Sequence, residues 1–139
     1  MKVHSAGHII DFALFMLDYS PTRLVPQKGD HGKKPFIMYK GTLDSDIKEE
    51  LQNKVNQMVN DDMKFSWEMN ATDVLKNISI YLQPGLPENK PLRSLSLENV
   101  GTVADGGTII KSTSEVGSIL IDKIESENGN TIVYYSIGA

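Results

Sequence analysis

Two histidines four residues apart stand near the start of the chain, in His4-Ser5-Ala6-Gly7-His8. On a helix, side chains at i and i+4 share one face, so the two imidazoles can converge on a single ion. Neutral imidazole nitrogen is a good ligand for zinc and related divalent metals. The zinc-peptidase form of this spacing carries a glutamate directly after the first histidine as general base. Ser5 occupies that place, which argues against a peptidase. The competing reading of the pair is two surface or capping histidines. Asp11 follows His8 by three residues. It either orients a histidine from behind as a supporting carboxylate or is an ordinary exposed helix acid, and the second is the expectation.

A second concentration of chemistry lies in Gly101-Thr102-Val103-Ala104-Asp105-Gly106-Gly107-Thr108, which spaces its residues like a phosphate-binding loop. That mechanism needs lysine before the final Ser/Thr to reach the phosphates, and Gly107 stands there instead. Two readings remain. One is a glycine turn between strands, with Gly106 and Gly107 tolerating positive φ. The other makes Asp105 a ligand or general base, with the two glycines letting a substrate approach the backbone. His31 is the remaining histidine, set between Asp30 and Gly32. Facing a pocket it would meet a phosphate or ribose; otherwise it is an exposed loop residue. Trp67 and Phe65 alternate on a predicted strand and are read as core rather than as a base-stacking platform, because aromatics on strands usually bury.

The bulk composition narrows the setting. A chain of 139 residues suits one domain over 1–139 with a core of its own. There is no cysteine, so neither a disulfide nor a thiolate ligand is available. Net charge is −4 and the pI is near 5.3, which argues against a strongly basic, sequence-blind nucleic-acid binder. Lys28, Lys33, Lys34 and Lys40 gather around one loop; a solvated face is the preferred reading over a basic patch. No apolar run approaches a membrane span, and the N-terminus lacks the long apolar stretch of a secretory signal, so a cytoplasmic location is expected.

The elements that must position these residues follow from periodicity. His4 to about Tyr19 reads as a helix, with Ile9, Ile10, Ala13, Leu14 and Leu17 at helical spacing, ended by Ser20-Pro21. Gln27 to Lys34 reads as loop and Pro35 to Lys40 as strand. Asp44 or Ser45 can cap a second helix reaching Asn60, striped by Leu51, Val55, Met58 and Val59, with Glu49 and Glu50 in its early turns. Lys64 to Met69 alternates like a strand, Ala71 to Tyr81 reads as a short helix, and Leu92, Leu95 and Leu97 mark another strand. Ile119 to Glu125 and Thr131 to Ile137 form a hairpin around Asn128-Gly129. Helices mixed with antiparallel strands, without a β-α-β rhythm, predict an α+β fold: an antiparallel sheet with helices packed on it.

Taken in order, the motifs show a resemblance. His4-Ser5-Ala6-Gly7-His8-Ile9-Ile10 resembles the HxxxH motif opening the editing domain of alanyl-tRNA synthetase, of its freestanding AlaX-type relatives, and of the related domain of threonyl-tRNA synthetase. Gly29-Asp30-His31-Gly32 through Pro35-Phe36-Ile37-Met38-Tyr39-Lys40-Gly41 is similar to the glycine-rich loop and strand that follow. Asp105-Gly106-Gly107-Thr108-Ile109 falls where the family carries Cys-Gly-Gly-Thr-His. Lys111-Ser112-Thr113-Ser114-Glu115-Val116-Gly117 matches the Thr-x-Glu-Ile-Gly step, with Glu115 expected to shape the turn. Ile119 onward, through Val133-Tyr134-Tyr135, resembles the closing hairpin.

The resemblance implies an aminoacyl-tRNA deacylase that hydrolyses the ester of mischarged tRNA, seryl- or glycyl-tRNA made for alanine. It also implies a zinc site formed by HxxxH and CxxxH. Carried over by position, His4 and His8 are retained, Asp105 replaces the cysteine, and Ile109 replaces the last histidine. Two outcomes are open. His4, His8 and Asp105 can form an open three-ligand site, with Thr108 and the amides near Gly106 and Gly107 binding oxyanion or ribose and Lys33 placed with the substrate. Alternatively the zinc is lost, and Asp105 or a histidine, His31 included, serves as base in a metal-free site. A catalytically silent module that binds an aminoacyl-tRNA end or a synthetase is the third possibility. The expected partner is the aminoacylated 3′ end of tRNA, together with a synthetase or accessory chain in the last case; no DNA or membrane partner is expected.

Overall fold

A helix whose apolar residues cover most of its circumference has to be buried. Helix α1 (Lys2–Met16) is such a helix: Ser5, Ala6, Ile9, Ile10, Phe12, Ala13 and Leu14 are all buried. The computed structural model describes residues 2–30, 32–43, 45–82, 86, 90–104 and 109–138. After α1 come β1 (Val25–Asp30), β2 (Phe36–Lys40), α2 (Lys48–Asn60), β3 (Phe65–Asn70), α3 (Thr72–Ile78) and β4 (Ser79–Tyr81). Then follow β5 (Leu92–Leu97), β6 (Gly101–Ala104), a 3-10 turn (Thr113–Val116), β7 (Ile119–Glu127) and β8 (Asn130–Ile137).

The class is α+β, with two four-stranded sheets rather than one. The first has order β1-β2-β8-β7 and is antiparallel throughout. The second has order β3-β5-β6-β4; β4 runs parallel to β6, so this sheet is mixed. One hydrophobic cluster takes residues from α1 and α2 and from both sheets, among them Ile10, Leu51, Val55, Leu95, Val103, Ile121 and Tyr135. No helix among the described residues is long and apolar enough to cross a membrane.

Several expectations need correction. Helix α1 ends a turn earlier than its proline implied: Asp18 takes a φ of 65° and the Tyr19 and Ser20 amides turn back to the Leu14 carbonyl at 2.9 and 3.2 Å. Gln27 to Asp30 is strand, not loop. Its partner β2 recruits it by backbone pairing, with a register shift between Pro26 and Lys28. Helix α2 begins at Lys48, its N-cap position is Ile47, and no side chain caps it there; the Asp46 carboxylate instead accepts the Lys48 amide at 3.0 Å. Asp44, one of the two expected caps, lies outside the described residues. The last part of the expected third helix is strand β4, because Ser79 turns to extended backbone and pairs with β6. Trp67 is not core: it is 43% exposed, while Phe65 on the same strand is buried.

Other elements form as their sequences dictate. The stripe Leu51, Val55, Met58 and Val59 is the buried face of α2. Asn128 and Gly129 have φ of 53° and 79°, the positive pair that a tight hairpin turn between twisted strands requires. Glu115 shapes its turn by accepting the Lys111 and Ser112 amides, both at 2.8 Å.

Helix α2 also closes an edge of the first sheet. Strand β7 is terminal in that sheet, and the Gln52 side chain behaves towards it like one more peptide group. Its Nε2 donates to the Ile119 carbonyl at 2.8 Å and its Oε1 accepts the Ile121 amide at 2.7 Å. Replacing Gln52 by Ala would leave both backbone groups without these partners. Gln52→Ala is expected to destabilise the fold by about 1–3 kcal/mol, and Gln52→Glu by at least as much, because a carboxylate cannot donate to Ile119. Urea unfolding of the variants against the parent chain measures this; unchanged midpoints would refute it.

Candidate functional site

The helical spacing brings the two histidines together. His4 and His8 project one turn apart from the first half of α1, with ring centroids 4.8 Å apart and planes inclined at 57°. Their Nε2 atoms approach to 3.1 Å. Both rings line a cavity of about 360 Å³, walled by α1, by β1 and β2, by Tyr135 of β8, and by Tyr81, Val103 and Ala104 of the second sheet.

Three polar tethers hold α1 against the first sheet and the segment that follows β6. The Tyr135 hydroxyl donates to the Val3 carbonyl at 3.1 Å. The Tyr39 hydroxyl donates to Asp11 at 2.8 Å. The Ile110 amide donates to the buried Ser5 hydroxyl at 3.0 Å. Gly7, between the histidines, is needed by the first tether: a Cβ there would lie 2.8 Å from the Tyr135 hydroxyl. Burial, with the Asp30 charge adding to it, pushes the Tyr135 phenol up to about 12.

Asp11 is not the exposed helix acid that was expected. It is half-buried, lines the histidine cavity and accepts the Tyr39 hydroxyl. Burial raises its carboxyl above the ordinary 3.8, and the Tyr39 hydrogen bond and the nearby His8 pull it partly back. Tyr39 is fully buried, and desolvation together with the Asp11 charge drives its phenol well above the usual value.

The remaining expected site residues divide into two groups. Lys33 is exposed in the bend before β2 and does not line the cavity; Lys28 does. Asp105, Gly106, Gly107, Thr108 and His31 lie outside the described residues. The described ends of the 105–108 stretch are nonetheless close to the histidines. Ala104 lines the cavity, and Ile110 is bonded to Ser5, the residue next to His4. Tyr39, Tyr81, Tyr135 and Gly7 were missed by sequence reasoning. The one available signal was that a buried tyrosine hydroxyl needs a partner, and Asp11 was an acid without one.

The donor set can be tested against zinc. Two Zn–N bonds of about 2.0–2.1 Å at a tetrahedral angle place their nitrogens about 3.3 Å apart, close to the 3.1 Å between the Nε2 atoms. Among the described residues no group of three His, Cys, Asp or Glu side chains could hold a metal. The histidine pair therefore fits as half of a site, and a further protein donor would have to come from outside the described residues. No family model matches the sequence, and no curated protein does.

The Asp11 environment has a measurable consequence. Its folded-state pKa is raised, so the proton is held more tightly by the folded chain. The resulting stability is present in full below the ordinary value of 3.8 and is lost as pH rises through the folded value. Asp11→Asn keeps an acceptor for Tyr39 and removes the charge. It is expected to raise Tm at pH 7, with the gain shrinking as pH falls through the raised folded value and gone below 3.8. Thermal unfolding across that range checks this; a variant equally destabilised at every pH would contradict it.

Proposed function

We propose that the chain is an aminoacyl-tRNA deacylase of the editing type, which hydrolyses the ester between a small amino acid and the terminal ribose of mischarged tRNA. The observation that carries the reading is the convergence of His4 and His8 on one cavity, their Nε2 atoms 3.1 Å apart. The ordered motif resemblance from His4 to Tyr135 supplies the substrate class, and serine or glycine is the amino acid it implies. A cavity of about 360 Å³ is near the lower end of ligand pockets, which favours a small acyl group. Lys28 on its wall offers a positive charge to a phosphate.

The chain's own groups suffice to describe the proton movements. In the metal-free form of the site an imidazole of the pair holds a water and takes its proton as the water oxygen adds to the ester carbonyl carbon. The tetrahedral intermediate then collapses, the bond from the acyl carbon to the ribose oxygen breaks, and the same imidazole returns the proton to that oxygen. The products are the free amino acid and the ribose hydroxyl. Thr108 and the amides near Gly106 and Gly107 are assigned to the developing oxyanion by their place in the motif. Asp11, fixed by Tyr39 and close to His8, supports the imidazole that gains the proton.

The alternative form of the site holds zinc on His4, His8 and Asp105, and an imidazole nitrogen that binds the metal is then not the base. When bound, zinc would lower the pKa of a water and polarise the ester carbonyl. The carboxylate of Asp105 is a harder donor than the family's thiolate, so zinc should be held less tightly here than in a site with the full set.

Deacylation of a panel of mischarged tRNAs, seryl- and glycyl-tRNA(Ala) included, tests the reading. His4→Ala, His8→Ala and Asp105→Asn are each expected to lower kcat/KM by about 100-fold or more while leaving the fold intact. Turnover lost on chelation and restored by zinc assigns the zinc form; turnover that survives chelation assigns the metal-free form. Folded, zinc-loaded protein that binds the charged tRNAs and hydrolyses none would instead assign the chain as a silent binding module.

A further inference from the structure

Trp67 is the single tryptophan of the chain and sits on β3, an edge strand of the second sheet. Residues directly opposite in neighbouring strands project from the same sheet face. Trp67 lies opposite Leu95 of β5, and Leu95 lies opposite Val103 of β6. Val103 lines the histidine cavity. Trp67 therefore shares a sheet face with the cavity wall, two strands away, or about 10 Å at the usual strand spacing. Along this row the face opens outward, from Leu95 at 2% exposure to Trp67 at 43%.

The next row carries Met69, 62% exposed, opposite Arg93. The Arg93 guanidinium lies over the Trp67 ring, 5.0 Å from its centroid. Among the described residues no carboxylate forms an ion pair with Arg93. A large aromatic left half in water, with an unneutralised guanidinium over it, costs the isolated chain buried apolar area. It matches the composition of a surface that stacks unpaired bases and holds their phosphates.

We infer that Trp67 and Arg93 form a platform for an unpaired nucleobase of the RNA 3′ end, stacking it while Arg93 takes an adjoining phosphate and the esterified terminal ribose enters the histidine cavity. The inference rests on the deacylase reading for its RNA. It gives that reading a second anchor: the acyl group is recognised in the cavity, and the strand leading to it is recognised on the sheet.

Because Trp67 is the sole tryptophan, its emission reports this one place. An uncharged RNA hairpin with a single-stranded 3′ CCA tail is expected to quench the emission saturably, and the same hairpin ending blunt is not. With aminoacylated hairpin as substrate, Trp67→Leu and Arg93→Gln should each raise KM about tenfold or more, with kcat little changed. Trp67→Phe should restore the low KM, and hydrolysis of a simple amino-acid ethyl ester should be unaffected in all three. Two results would overturn the platform. One is unchanged emission when the tailed hairpin binds. The other is an emission that shifts with protein concentration alone, accompanied by a sedimenting dimer, which would mean that a second copy covers β3. The emission titration needs no hydrolysis. Quenching without turnover would therefore remove the deacylase reading and keep the platform, and turnover dependent on His4 with unmoved emission and unmoved KM would do the reverse.

Discussion

A helix buried around most of its girth must find a partner for every polar group it carries inward, and α1 meets this demand with groups from the first sheet and from the segment after β6. Ser5 is met from the segment after β6, Asp11 from β2, and the Val3 carbonyl from β8. These bonds are short-range and directional, unlike the apolar packing of Ile9, Ile10, Phe12 and Leu14 around them. Packing alone would tolerate small rotations of the helix. The three polar tethers do not, because an unpaired buried donor or acceptor costs about 1–3 kcal/mol. They fix the rotation of α1 about its axis, and with it the direction in which His4 and His8 point.

The candidate site is thus a by-product of how the core is closed. His4, Gly7, His8 and Asp11 follow one another along a single face and line one cavity. Gly7 has no side chain because the Tyr135 hydroxyl occupies that space. Asp11 keeps a carboxyl where burial disfavours its charge, a cost that natural chains commonly carry at functional positions rather than elsewhere. Tyr39 gives that carboxyl its main compensation from a fully buried position.

Much of the fold was legible because its signals are local. The stripe of α2, the strands β3 and β5 and the positive-φ turn at Asn128-Gly129 depend on residues a few positions apart, and all formed. Strands β1, β4 and β6 were not legible. Val25-Pro26-Gln27-Lys28-Gly29-Asp30 and Gly101-Thr102-Val103-Ala104 carry weak strand propensity, and pairing with distant partners decides their state. The histidine pair was legible for the same local reason as the helix that bears it. Asp11 was misjudged because its burial is set by Tyr39, 28 positions away. Trp67 was misjudged because the sequence of an edge strand does not say which end of its apolar row reaches water.

The rung that Gln52 adds to β7 also bears on how the chain behaves at high concentration. An open strand edge is a template on which further strands can grow. At Ile119 and Ile121 the template is already occupied by an amide that belongs to a helix and offers no next strand. The opposite edge, β1, contains Pro26, which lacks an N–H, and the charged Lys28. Growth of the first sheet by strand addition is therefore obstructed at both borders, by an imitation peptide at one and by poor pairing chemistry at the other. That protection is built from side chains in the folded state. It vanishes when α2 lifts from β7, so aggregation should follow partial unfolding of that helix rather than encounters between native molecules through this sheet.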